Sequence, residues 1–218
     1  MFFMPLLHHW LYESDISVRG PTEEDVRLYE AHMNRIKLRI DEARGLLYKK
    51  SSDERDLLYA VLQLRIAIEE TACASLIANR VSFEDAEKAF RLKRFEEVQK
   101  ALKLLNPSYW PKAVKESAPE PNTEAVASFE PVEGSLTDTE WMKIWGKLSS
   151  MLHMRNPWLP ERDIKRNHQF AKTVVDKLVT ILNAHVTELV GGQHFVMAQV
   201  YASPVRAYGF SLVHNSDT

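Results

Sequence analysis

Apolar residues recur along this chain at steps of three and four, with charged residues filling the gaps. Val26, Tyr29, Met33, Ile36, Ile40, Ala43 and Leu47 form one such stripe, which predicts a helix that starts after Thr22 and runs to about Tyr48. Thr22 and Asp25 have the spacing of a capping box, in which hydroxyl and carboxylate each satisfy a free backbone N–H of the first turn. After Lys49-Lys50-Ser51-Ser52, a second helix from Asp53 to about Asn79 carries Leu57, Val61, Leu64, Ile68, Ala72 and Leu76 on one side. So short a turn predicts an antiparallel helical hairpin. Ser82 and Asp85 repeat the capping signal for a third helix, which ends at about Leu105 before Asn106-Pro107.

From Pro107 the composition shifts to Pro, Glu, Ser, Ala and Asn, which predicts a linker that buries too little apolar surface to offset its ordering entropy. Thr137 and Glu140 open a fourth helix with Trp141, Ile144, Trp145, Leu148 and Leu152 on one face, stopped by Asn156-Pro157. A fifth is predicted from near Pro160 to Val190, with Ile164, His168, Ala171, Val175, Leu178, Leu182, His185 and Leu189 inward and Gly191-Gly192 at its end. Beyond the double glycine the period changes to two, so Phe195–Tyr201 and Val205–Val213 read as strands around the Ser203-Pro204 turn. The expected fold is therefore mainly all-α, an antiparallel bundle of about five helices with a C-terminal β-hairpin. Its parts are residues 1–106 (helical hairpin and third helix), 107–136 (proline-rich linker), 137–190 (two helices completing the bundle) and 191–218 (the hairpin). A lone hairpin is marginal in water, so this one must pack on the helices or pair with a second chain as a homodimer.

Composition narrows the function classes. A length of 218 residues, 45% of them hydrophobic, suffices for one large core, and no apolar run reaches the roughly 20 residues of a membrane-spanning helix. The greasy Met1-Phe2-Phe3-Met4-Pro5-Leu6-Leu7 lacks the basic start and cleavage site of a signal peptide and is expected to pack on the body. A formal charge of -2 gives no global pull toward nucleic acid, although a local basic face remains open. The single cysteine, Cys73, excludes an internal disulfide and points to the reducing cytoplasm. Without a Cys pair or a His-Glu-x-x-His, neither a metal nor a cofactor is expected, and no glycine-rich phosphate loop or Gly-x-Ser-x-Gly elbow is present.

The candidate chemistry lies where ionisable groups interrupt apolar faces, because a charge there needs a compensating partner. Arg65 and Glu69 sit one turn apart in the greasiest helix. They read either as an i,i+4 ion pair on the rim of the stripe or as a guanidinium held for a phosphate. His153, after Met151-Leu152, reads as a helix C-terminal cap or as a general acid or base. His168 and His185 read as hydrogen-bonded core histidines or as catalysts, and Trp141, Trp145 and Trp158 as core residues or base-stacking platforms.

An Arg-x-x-x-Glu helix, a proline-rich gap, a helix ending in Leu-His and a long final helix together resemble a group of bacterial helical-bundle proteins of uncharacterised function. More distantly the arrangement is similar to the HEPN superfamily, whose members are helical bundles, often dimeric and often RNA-cleaving toxins or phage-defence proteins. The resemblance covers roughly Asp53 to Val190. That superfamily pairs an arginine with a histidine four to six residues on, and Arg162-Asp163-Ile164-Lys165-Arg166-Asn167-His168 has this form. The resemblance implies a metal-independent ribonuclease in which Arg162 holds the scissile phosphate and His168 moves the proton. His153 is then a further catalytic candidate, with Lys147 standing where the family has arginine, and Arg65, Glu69, Lys147 and Asn156 as substrate-binding candidates. The rival expectation, of a different class, is a non-catalytic module whose helices and hairpin dock a protein partner.

Overall fold

A computed structural model describes residues 20–51, 53–78, 94–117, 128–133, 135–153, 158 and 163–211. Five helices lie among them: α1 (Glu23–Leu47), α2 (Glu54–Ala78), α3 (Phe95–Leu105), α4 (Asp138–Leu152) and α5 (Ile164–Asn183). The expected capping boxes are formed at both Thr22/Asp25 and Thr137/Glu140, each side chain satisfying the other's backbone N–H. The stripes of α1 and α2 are buried against each other, with Met33, Ile36, Ile40, Val61, Leu64 and Ile68 fully enclosed. The predicted third helix is described over Phe95–Leu105, and its proposed Ser82/Asp85 start lies outside the described residues. No helix among the described residues is long and apolar enough to cross a membrane.

The β part is larger than the expected hairpin. Five antiparallel strands form one sheet in the order β2-β1-β3-β4-β5, with β1 at Lys112–Ser117, β2 at Ser128–Pro131, β3 at His185–Glu188, β4 at His194–Gln199 and β5 at Arg206–Ser211. Two of these strands come from the proline-rich segment 107–136. Pro111 precedes β1 and Pro131 closes β2, so neither proline removes a ladder donor from a strand interior. The third comes from the stretch expected to end the last helix. That helix stops at Asn183, Ala184 turns extended at φ -142° and ψ 123°, and the β-branched Val186 and Thr187 follow. Residues 182, 185 and 189 have helical spacing, but 185 and 187 also alternate, and pairing with β1 and β4 favours the strand. The β4–β5 hairpin thus finds its supports within the chain.

Alternation gives the sheet two buried faces. His185, Thr187, Val196 and Ala198 face the helices, whereas Val114, Val186 and Met197 form a second apolar cluster on the other side, with Phe129, Phe195 and Phe210 packed on it. Phe129 and Phe210 belong to opposite edge strands, yet their rings are 5.1 Å apart. The cause is the register: β1 pairs with β3 only at Lys112 and Ala113, then continues from Val114 to Ser117 as an arm with β2 that folds over the outer face. At the free edge, the backbone N–H of Ala207 donates to the Glu30 carboxylate 3.1 Å away, which blunts β5 as a template for another strand. Gly209 is required where α1 begins, since a methyl group there would stand 2.6 Å from Pro21 Cγ.

A buried polar chain joins the two layers. Tyr29 Oη on α1 lies 2.9 Å from His185 Nε2 and 2.7 Å from Thr187 Oγ1 on β3. His185 Nδ1 faces the Leu182 carbonyl at 3.4 Å, and a carbonyl only accepts, so Nδ1 carries the proton. Thr187 then donates to Tyr29, and Tyr29 donates to His185 Nε2. Complete burial holds the imidazole neutral and pushes its pKa down to about 4.

The sign of the resulting pH dependence is fixed. Between about pH 6.5 and pH 4 the unfolded chain binds a proton that native His185 refuses, so stability falls as pH falls through that window, by on the order of 3 kcal/mol. Urea unfolding at pH 7, 6, 5 and 4 checks this: a His185→Gln variant should be less stable at pH 7 and show a shallower loss on acidification. An equal slope in both proteins would contradict it.

Candidate functional site

Two consecutive glutamates in α2 organise the polar groups of the helical layer. Neighbouring positions on a helix point about 100° apart, so Glu69 and Glu70 reach different partners. Glu70 turns to α1: Arg39 holds its carboxylate with Nε at 2.8 Å and Nη2 at 3.1 Å, and Arg35 Nε lies 3.2 Å from it. The bidentate fork of Arg39 also reaches Gln63 through Nη1 at 2.9 Å. Glu69 turns to α4, where one carboxylate oxygen accepts from Trp145 Nε1 at 2.8 Å and from Arg65 Nε at 2.9 Å. The Arg65 guanidinium lies 5.4 Å from the centre of the Trp145 ring, and the Phe95 ring of α3 packs on the same indole at 5.2 Å. Four helices are therefore tied at one level of the bundle.

His32 completes the arrangement. Its Nε2 is 2.8 Å from the Glu70 carbonyl and its Nδ1 is 2.6 Å from Arg35 Nη2. A carbonyl only accepts and a guanidinium only donates, so His32 is neutral with the proton on Nε2. Burial lowers its pKa, a tendency reinforced by the Arg35 charge and opposed by the bond to Glu70.

These groups line a cavity of about 460 Å³ between α1, α2 and α3. Its polar lining is His32, Arg35, Arg65, Glu69 and Glu70, and its apolar lining is Ile66, Cys73, Ile77, Phe95 and Val98. Burial, followed by the two glutamates, pushes the Cys73 thiol up to about 12, so it stays protonated at neutral pH and is a poor nucleophile. Arg65 is one-third exposed and makes no hydrogen bond to any described residue other than Glu69. An Arg fork with its terminal nitrogens available, beside a mixed polar and apolar cavity, suits a phosphate or carboxylate on a partly apolar ligand. Among the described residues no three His, Cys, Asp or Glu side chains cluster as a metal site requires.

Arg65 and Glu69 form the i,i+4 ion pair, with Trp145 of α4 as a distant partner, and both also line the cavity. The other candidates lie elsewhere. His153 is exposed at the C-cap of α4. Lys147 places Nζ 3.7 Å from the centre of the Phe170 ring of α5. His168 is half-buried in the second turn of α5, its pKa lowered by burial and then by Lys172. Neither histidine lines the cavity, and Arg162 and Asn156 fall outside the described residues. The sequence reading passed over His32, Arg35 and Arg39, whose signal was a polar row at positions i, i+3 and i+7 flanking the α1 stripe. No protein-family model, curated protein or solved structure matches this chain.

Removing the Glu69 carboxylate strands two donors, the indole N–H of Trp145 and the Nε–H of Arg65. Glu69→Ala should cost roughly 1–3 kcal/mol in chemical unfolding, and Glu69→Gln, which keeps an accepting oxygen, less than half of that. Indistinguishable unfolding curves for the two variants would show that the accepting oxygen does not matter.

Proposed function

We propose that this chain is a HEPN-like helical protein that binds RNA as a homodimer in the cytoplasm, with Arg65 as a phosphate contact. One observation carries the reading: Arg65 is held by Glu69 and covered on one side by Trp145, yet keeps its terminal donors available at the cavity. A guanidinium fixed in this way loses little rotamer freedom on meeting a phosphate, which favours binding over a floppy surface arginine. Arg35, more than half exposed at the same cavity, supplies a second cation. The near-neutral chain makes such local cations the means of holding RNA.

In the ribonuclease form of this proposal, of toxin or phage-defence type and metal-independent, Arg162 holds the scissile phosphate and His168 accepts the proton. His153, Lys147 and Asn156 assist. The lowered pKa of His168 supports this role, because it favours the unprotonated imidazole that a general base requires.

Mobility shifts with single-stranded RNA test the binding. Arg65→Ala should weaken it about tenfold, and Arg65→Lys, which keeps the charge but not the fork, should recover only part of the loss. Unchanged affinity in both variants would contradict the assignment. For cleavage, total RNA incubated with wild-type protein should be degraded and with His168→Ala preserved; equal loss in both, or none in either, removes the nuclease step. If wild-type protein binds no RNA at all, the non-catalytic protein-interaction reading takes its place.

A further inference from the structure

On the outer face of the sheet, away from the Arg65 cavity, lies a groove of about 470 Å³ lined mainly by apolar side chains, among them Trp110, Val114, Phe129, Val186, Phe195 and Phe210. An apolar groove of this kind suits a peptide rich in hydrophobic side chains. The course of the chain indicates which peptide. Gly20 lies against His194, where an added methyl group would meet Nδ1 at 3.2 Å, and Pro21 lies against Gly209. His194 pairs with Ser211 as the terminal pair of β4 and β5, and the next pair, Phe195 with Phe210, faces the groove. Residues 1–19 therefore join the body at one end of this groove.

That segment contains two apolar stretches, Met1-Phe2-Phe3-Met4-Pro5-Leu6-Leu7 and Trp10-Leu11-Tyr12, separated by His8-His9 and joined to Gly20 by the mostly polar residues 13–19. At roughly 3.3 Å per extended residue, the seven residues 13–19 span about 23 Å, enough to turn around the sheet end. Leaving both the apolar stretches and the groove in water would expose two large apolar surfaces of one molecule. We propose that residues 2–12 of the chain occupy the outer groove in cis. The β1–β2 arm, which reaches the rest of the sheet through only two residue pairs, is then clamped between this segment and β3.

Photo-crosslinking of the full-length protein tests the placement. Phe3, and in a second protein Leu7, is replaced by p-benzoylphenylalanine, irradiated, and the adducts are mapped by mass spectrometry. Intramolecular adducts within residues 107–115, 129–136, 195 or 210 support the proposal. Adducts between two copies, adducts elsewhere in the chain, or none from either position overturn it. As a second readout, Phe2→Ser, Phe3→Ser, Leu6→Ser and Leu7→Ser combined should speed amide exchange in β1 about tenfold or more while leaving α1 and α2 unchanged; an unchanged β1 counts against it.

Discussion

Everything in the helical layer is arranged around the fact that α2 carries two carboxylates side by side at Glu69 and Glu70. Carboxylates inside a bundle are costly unless compensated, and the chain compensates them in opposite directions, Glu70 with arginines from α1 and Glu69 with Arg65 and the Trp145 indole of α4. Because the arginines on Glu70 come from α1 and the indole on Glu69 comes from α4, satisfying the two carboxylates fixes how α1, α2 and α4 stand relative to one another. The cavity is the space left between those partners, and its chemistry follows from theirs: cations held in place by the glutamates, a neutral histidine and a protonated thiol.

The sheet solves a different problem. Its helix-facing side belongs to the main core, and its outer side would be exposed if the sheet were flat. The short pairing of β1 with β3 lets the β1–β2 arm fold back, so that Phe129 meets Phe210 and a second small core is closed over Val186 and Met197. Tyr29, His185 and Thr187 then provide a directional polar link through the interface of the two layers, which specifies how α1 registers on β3 in a way that apolar contact alone does not.

Local signals in the sequence were sufficient where local energetics decide. The Thr22/Asp25 and Thr137/Glu140 capping boxes and the stripes of α1 and α2 depend on residues within a few positions of each other, and they were legible for that reason. The strands β1, β2 and β3 were not, because each is stabilised by a partner far away in the chain: Ala113 by His185, and Val114 by Pro131 across the proline-rich stretch. His185 illustrates the ambiguity, since its spacing from Leu182 fits a helix while its role as a hydrogen-bonded core histidine holds in a strand. At the candidate site, Arg65 and Glu69 stood out because they interrupt an apolar face. His32, Arg35 and Arg39 did not, because a polar flank on a helix looks like a solvated face until Glu70 is seen opposite.

The claim that the Glu69 carboxylate couples α2 to α4 is tested most directly by a double-mutant cycle on unfolding free energy with Glu69→Ala, Trp145→Phe and the two combined. A coupling energy of about 1–3 kcal/mol is predicted, since either substitution alone already removes the shared hydrogen bond. Strictly additive losses would mean that the two side chains act independently, and that this hydrogen bond does not couple α2 to α4.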